Sequence, residues 1–166
     1  SQDRIYVMSM VYEKLYQSEN LHSIPFHEFI HDLTTKVLMI HSENAEGLEL
    51  KEEIEEVHLD LNTAIPLALI AAELLGNACK YACTPGSANI LGVGLSDENI
   101  GTIHRCQLTI ADNGPGLPEG VDVENSSSLG LQLVFLLADQ LGGQVRYDSG
   151  EGGTSFSVEF DTDAGG

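Results

Sequence analysis

The stretch Glu73-Leu74-Leu75-Gly76-Asn77-Ala78-Cys79-Lys80-Tyr81-Ala82 constrains this chain most. It reads as the second half of a helix running from about Ala64 to Ala82. At 100° per residue, Glu73, Asn77, Lys80 and Tyr81 fall within about one quadrant of that helix. The opposite side carries Ala64, Ala68, Ala71, Leu75, Ala78 and Ala82, a mostly small-residue face that lets a helix lie close on a sheet. A carboxylate, an amide, an ammonium and a phenol along one edge of a buried helix cost desolvation unless something binds there. The plainer reading is a helix with one wet edge, and the rest of the chain decides between the two.

At 166 residues with 42% hydrophobic content, the chain is one domain with a real core. It carries 26 acidic against 7 basic residues, a net charge of −19. That balance argues against nucleic-acid binding, which needs a basic surface, and against docking on an anionic membrane. An anionic ligand must be met by a metal ion, by backbone N–H groups or by a few local cations. The three cysteines, Cys79, Cys83 and Cys106, form no C-x-x-C pair and no disulfide framework. A reducing, cytoplasmic setting fits them. No signal peptide and no run of about 20 apolar residues is expected. The chain begins at Ser1 and reads as part of a longer protein, whose attachment to a membrane is left open.

Residues 4–17 have helical spacing of Ile5, Met8, Val11 (or Tyr12) and Leu15. They read as an ordinary packing helix or as one arm of a helical hairpin. Such an arm should expose an apolar stripe and self-associate. Ser23-Ile24-Pro25 should open a second helix, with proline in its first turn and Phe26, Phe29, Ile30, Leu33, Val37 and Ile40 at helical spacing. This helix contains His27-Glu28-Phe29-Ile30-His31, a literal H-E-x-x-H, which can hold zinc on one face. No motif downstream offers a third ligand, so a polar helix face is the favoured reading.

Leu48, Leu50 and then Val57, Leu59, Leu61 alternate with polar residues and predict two short strands around an acidic edge or turn at Glu52-Glu53 and Glu55-Glu56. Asn62-Thr63 should cap the long helix, with Pro66 in its first turn and Thr84-Pro85-Gly86-Ser87 beyond its end. Strands follow at 89–96 and 103–111, separated by Asp97-Glu98-Asn99. The second runs into Asp112-Asn113-Gly114-Pro115-Gly116-Leu117-Pro118, where glycines and prolines force a tight turn and leave Asp112 at a strand's carboxyl end. An acidic loop over 117–128 contains no Lys or Arg. Ser126, Ser127 and Ser128 offer caps for an apolar helix from Leu129 to about Leu141, with Gly130 at its N-terminus, where open N–H groups suit a phosphate. A hairpin of 144–149 and 154–160 turns at Gly150-Glu151-Gly152-Gly153, and Asp161–Gly166 reads as a loose tail. This order predicts an α/β two-layer sandwich, a mixed sheet with helices on one face.

Four features occur in fixed order: Glu73…Asn77-Ala78-Cys79-Lys80-Tyr81, Asp112-Asn113-Gly114-Pro115-Gly116, Ser128-Leu129-Gly130-Leu131 and Gly152-Gly153-Thr154. Together they resemble the N box and three glycine boxes of the Bergerat-fold ATPases, the superfamily of gyrase-type topoisomerases, mismatch-repair ATPases, a heat-shock chaperone and sensor histidine kinases. Ala64-Ile65-Pro66-Leu67-Ala68-Leu69-Ile70 resembles the histidine kinases whose dimerisation domain carries an H-R-x-K-N phosphoacceptor motif. Arg4-Ile5…Glu13-Lys14-Leu15-Tyr16-Gln17-Ser18 resembles the second helix of that domain. Residues 1–20 then read as a remnant of the dimerisation hairpin and 21–166 as the ATP-binding catalytic domain. The family usually has histidine where this chain has Tyr12 and Tyr81. None of His22, His27, His31, His41, His58 or His104 stands in the phosphoacceptor context, which places that histidine on a helix before Ser1.

The resemblance implies a role for each matching residue. Asp112 would accept the adenine amine, Gly114 and Gly116 would let the loop approach the base, and Gly153-Thr154 would join adenine through water. Asn77 would ligate Mg²⁺, Lys80 and Tyr81 would reach phosphate oxygens, and Gly130 and Leu131 would offer backbone N–H groups. Glu73 would be catalytic, orienting the attacking imidazole, taking its proton or positioning a water. The implied cofactors are ATP and Mg²⁺. The implied partners are the phosphoacceptor helix, a response regulator and a second copy joined through the hairpin. Because Lys80 is the only cation in the motifs, ATP binding should be weak and strongly Mg²⁺-dependent. The alternatives are a serine kinase or anti-sigma switch on the same fold, a nucleotide-binding module without transferase activity and, more remotely, a zinc protease.

Overall fold

The computed structural model describes residues 2–84, 87–125 and 128–163. The expectations at Pro85, Gly86, Ser126, Ser127 and residues 164–166 lie outside these. The chain runs α1 (Gln2–Tyr16), β1 (Ile24–Pro25), α2 (Phe26–Ile40), β2 (Glu49–Ile54), β3 (His58–Leu59), α3 (Leu61–Tyr81), β4 (Ile90–Ile100), β5 (Ile103–Asp112), α4 (Leu129–Gln140), β6 (Gln144–Gly150) and β7 (Gly153–Asp163).

Five strands form one sheet in the order β2-β4-β5-β7-β6. Only β2 and β4 pair in parallel, and α3 supplies the crossover that a parallel pair requires. The other pairs are antiparallel and joined in part by two-residue turns. Leu91, Val93 and Leu95, Cys106, Leu108 and Ile110, and Phe156, Val158 and Phe160 are buried on one face. The helices cover that face, as the two-layer reading expected. On the other face, Gly92, Gly94, Thr109 and Ala111 line an open groove.

α3 is the spine of the helical layer. Ala64, Ala68, Ala71, Leu75, Ala78 and Ala82 are all buried. By length and mean hydropathy alone it would also be long and apolar enough to cross a membrane, and here it is a core helix. Asp60 caps it, accepting the Thr63 N–H at 3.0 Å, so the helix starts at Leu61 and not after Asn62-Thr63. Pro66 consequently lies inside the helix, beyond its first turn. The carboxylate two residues upstream won the cap because it reaches the N3 donor directly.

Three further elements differ from the sequence reading. Ile24-Pro25 is not helical: it pairs with His58-Leu59, and Pro25 precedes α2 as its N-cap. Asp97-Glu98-Asn99 is strand, and the chain turns at Gly101-Thr102, where Gly101 takes φ +64°. Glycine satisfied the left-handed turn position that the acidic residues could not fill as cheaply. Asp161 is not in a loose tail. It continues β7 opposite Arg105, whose Nε donates to its Oδ1 at 2.9 Å.

α1 packs on this core through Val11 and Leu15, which are fully buried. The exposed apolar side chains of α1 are Ile5, Tyr6, Tyr12 and Tyr16. The expected stripe is therefore present with a different membership. Val11 and Leu15 turn inward, and Tyr12 stacks on Tyr16 at 6.5 Å between ring centroids.

Candidate functional site

β5 delivers Asp112 to the end of the sheet beside the C-terminal half of α3. Asp112 Oδ1 accepts the Gly114 N–H at 2.9 Å and the Thr154 N–H at 3.3 Å. These two donors fix the carboxylate's orientation. Burial pushes its pKa above the ordinary range, against the lowering effect of the same two N–H groups. Asp112 shares a cleft with Leu74, Asn77, Ala78, Tyr81, Ile110, Gly116, Leu117, Thr154 and Phe156.

The glycines make this cleft possible by close approach. A Cβ on Gly114 would lie 2.5 Å from Ala82 Cα, so the loop after β5 can press on the end of α3 only without a side chain there. Gly153 has φ +126°, and a Cβ on it would lie 1.9 Å from the Asp112 carbonyl oxygen. Gly116 has φ +88° and packs against Gly150.

One turn up α3, a second cavity of about 80 Å³ opens between the helices. Asp3, Arg4, His41, Glu73, Asn77 and Lys80 form its polar part, and Val7, Met8, Val37, Leu133 and Leu137 are among its apolar residues. Glu73 Oε1 accepts from Arg4 Nε at 2.5 Å and Oε2 from Arg4 Nη2 at 3.2 Å. The carboxylate raises the pKa of Arg4 through this hydrogen bond. Gly130, in the first turn of α4, lies against the pair, since a Cβ there would be 2.5 Å from Glu73 Oε2. The N–H groups of Leu129, Gly130 and Leu131 precede the first intrahelical bond, which runs from Gln132 N to Ser128 O. Leu131 itself anchors this turn in the core.

The polar edge of α3 is thus divided between two spaces. Tyr81 faces the Asp112 cleft and Lys80 the Glu73 cavity, while Asn77 lines both. Asn77 makes no side-chain hydrogen bond with the described residues, which leaves its amide oxygen available. One amide oxygen suits magnesium, a hard cation that completes its shell with phosphate oxygens and water. Among the described residues, no three His, Cys, Asp or Glu side chains are arranged to hold a metal ion without such a ligand. The H-E-x-x-H histidines are occupied elsewhere: His27 Nδ1 is 3.1 Å from the Val57 carbonyl oxygen, and His31 Nδ1 is 2.8 Å from Glu52 Oε2.

Residues without a motif also reach the site. Ser149 accepts the Leu117 N–H and meets the Thr154 hydroxyl, each at 2.8 Å. Its place could have been read from hairpin register, as the partner of Thr154. Arg4 and His41 arrive from helices distant in sequence, and no local pattern announces them.

The sequence profile described as "Histidine kinase-, DNA gyrase B-, and HSP90-like ATPase" matches residues 62–164, and one described as "Histidine kinase" matches residues 1–41. Blue-light-activated histidine kinase 2 of Erythrobacter litoralis is 24% identical over 120 residues, which are 72% of this chain and 34% of that protein. Sensor histidine kinase PdtaS of Mycobacterium tuberculosis is 35% identical over 98 residues, 58% of this chain and 19% of that one. The chain therefore spans about a third or less of these curated relatives. Among solved structures, the histidine kinase domain of the Erythrobacter litoralis EL346 blue-light activated histidine kinase superposes with a TM-score of 0.83 at 20% identity, over 95% of this chain and 79% of that one. The Acinetobacter baumannii histidine kinase AdeS gives 0.62 at 20% identity, over 95% and 75%. These likenesses establish the fold. With the Asp112 cleft and the Asn77 helix lying within the profile match, the chain belongs to the histidine kinase-, DNA gyrase B- and HSP90-like ATPase family, on its histidine kinase branch.

Proposed function

We propose that the chain binds ATP with Mg²⁺ across the two spaces that Asn77 lines and transfers the γ-phosphoryl group to a histidine presented by a helix that packs on α1. The observation that carries this reading is Asp112. One carboxylate oxygen is held by two N–H donors, which leaves the other to accept the adenine amine. Gly114 and Gly116 form the wall beside the base, and Gly153 lets Thr154 stand next to Asp112.

Asn77 lines both spaces and would hold Mg²⁺ between them. The metal supplies charge neutralisation at the phosphate oxygens. Lys80 and Tyr81 flank Asn77 and would contact phosphate oxygens, with the N–H groups of Gly130 and Leu131 at the α4 N-terminus completing the cradle. The imidazole nitrogen forms a bond to the γ-phosphorus as the bond to the β,γ-bridging oxygen breaks and ADP leaves. Glu73 would accept the hydrogen on the imidazole's other nitrogen and so hold the ring in line. The exposed Ile5, Tyr12 and Tyr16 of α1 suit the partner helix and, through the completed hairpin, a second copy. A response regulator would take the phosphoryl group from that histidine.

Calorimetry with ADP and ATP, with and without magnesium, tests the nucleotide site. Binding should be weak and should fall sharply in EDTA. Labelled ATP with an added histidine-bearing dimerisation helix tests the transfer. Acid-labile phosphate on that helix supports it, acid-stable phosphate indicates a serine kinase, and binding without phosphate indicates a nucleotide-binding module.

A further inference from the structure

Asp112 of β5, Thr154 of β7 and Ser149 of β6 are direct partners across three neighbouring strands. Opposed residues of an antiparallel pair project from the same face. Here that is the face carrying Ile110 and Phe156, two residues inward, so the three side chains form one polar row at the mouth of the cleft. Asp112 is the acceptor at one end. Thr154 Oγ1 and Ser149 Oγ are 2.8 Å apart, and the Leu117 N–H donates to Ser149 Oγ at 2.8 Å.

A hydroxyl has one proton to give. Ser149 already receives the Leu117 N–H, and Thr154 Oγ1 is its other hydrogen-bond partner among the described residues. Ser149 keeps a second lone pair and its own proton; where that proton goes to Thr154 Oγ1, Thr154 directs its own proton elsewhere, into the cleft beside Asp112. We propose that Ser149 is a specificity-positioning residue: it sets Thr154 as a donor next to the Asp112 acceptor, and the pair reads the amine and the N1 acceptor of a 6-aminopurine. The proposal rests on the cleft being the base site. Guanine and hypoxanthine present a carbonyl oxygen to the carboxylate, where neither group has a proton to give, and an N1–H to a Thr154 hydroxyl that must turn its own proton aside to accept it.

The same serine also braces Leu117 at the root of the following loop, and the test must separate the two roles. Binding of ADP and of 1-deaza-ADP, in which N1 is replaced by CH, is measured by calorimetry with magnesium in wild type, Ser149→Ala and Ser149→Thr. Each protein's ADP to 1-deaza-ADP ratio is its own control for folding. The wild type should prefer ADP by about tenfold, the worth of one hydrogen bond. Ser149→Ala should cut this preference to about twofold or less, and Ser149→Thr, which keeps the hydroxyl, should retain it. Equal weakening of both nucleotides in Ser149→Ala, with the ratio preserved, means bracing alone and overturns the proposal while the base site stands. A wild type that binds neither nucleotide overturns both.

Discussion

Arg4 and Glu73, 69 residues apart, meet guanidinium to carboxylate with side chains only 25% and 14% exposed. The contact joins α1 to the residue proposed to face the incoming imidazole. Any movement of α1 along its axis therefore pulls on that carboxylate. Truncating one partner takes a charge-assisted pair from the other in a partly desolvated place, so Arg4→Ala and Glu73→Ala should each cost about 1–3 kcal/mol. Urea denaturation of both single variants and the double variant should give a coupling of about 1 kcal/mol or more, whereas strict additivity would show that the pair contributes nothing.

Gly76 and Gly130 both lie in helices but should respond oppositely to alanine. A Cβ on Gly76 meets nothing closer than His41 Nε2 at 3.9 Å, so Gly76→Ala should gain the ordinary helix-propensity benefit of about 0.5–1 kcal/mol. At Gly130 the new methyl must displace the Arg4–Glu73 pair, for a cost of about 1–2 kcal/mol. Repeating Gly130→Ala on a Glu73→Ala background should remove that cost and turn the sign. Thermal melts of the four variants decide it.

Asp112 should give a pH signature in both stability and binding. Its pKa is raised by burial, so the contribution of this group to stability is full below the unfolded carboxylate pKa and is lost as pH rises through the higher folded value. Asp112→Asn should thus leave the ligand-free protein no less stable at neutral pH, with its advantage over wild type shrinking as the solution is acidified. Protonation removes the acceptor, so wild-type nucleotide affinity should begin to fall at a pH above the ordinary carboxylate range. The asparagine keeps an oxygen for Gly114 and Thr154 but turns its NH₂ toward the adenine amine. Nucleotide binding should drop by about 100-fold.

The cysteines should differ in reactivity by position. Burial pushes the thiols of Cys79 and Cys106 up to about 12. Cys83 is raised by burial and then by the charge of Asp112, but it is only partly buried. A maleimide at mildly alkaline pH should modify Cys83 first and the other two only on unfolding. Mass spectrometry of a time course would show it, and early labelling of Cys79 would contradict the packing of α3.

The site's near-neighbour geometry was legible in the sequence because helix geometry and strand ends follow local rules. Glu73, Asn77, Lys80 and Tyr81 do share an edge, and Asp112 does end a buried strand. What the sequence did not show was that this edge serves two spaces, because the division depends on α1 and α4 packing on either side of Glu73. The strand errors had the same origin. Asp97-Glu98-Asn99 has turn-forming residues, but pairing with 104–106 keeps it extended. Asp161 looks like tail until Arg105, 56 residues earlier, binds it. Ser149 carries no motif at all. Its role depends on which residue stands opposite, a property of register that composition does not encode.

If Ser149 sets Thr154 as proposed, the two-residue turn between Gly150 and Gly153 is a length gauge for base reading. Because side chains alternate faces, one inserted residue that slipped β6 past β7 would send the serine hydroxyl to the far side of the sheet while leaving every residue of the glycine motifs in place. Selectivity set in this way would be partly a matter of counting: a base-recognition defect would arise from a change in spacing alone, with no functional group altered.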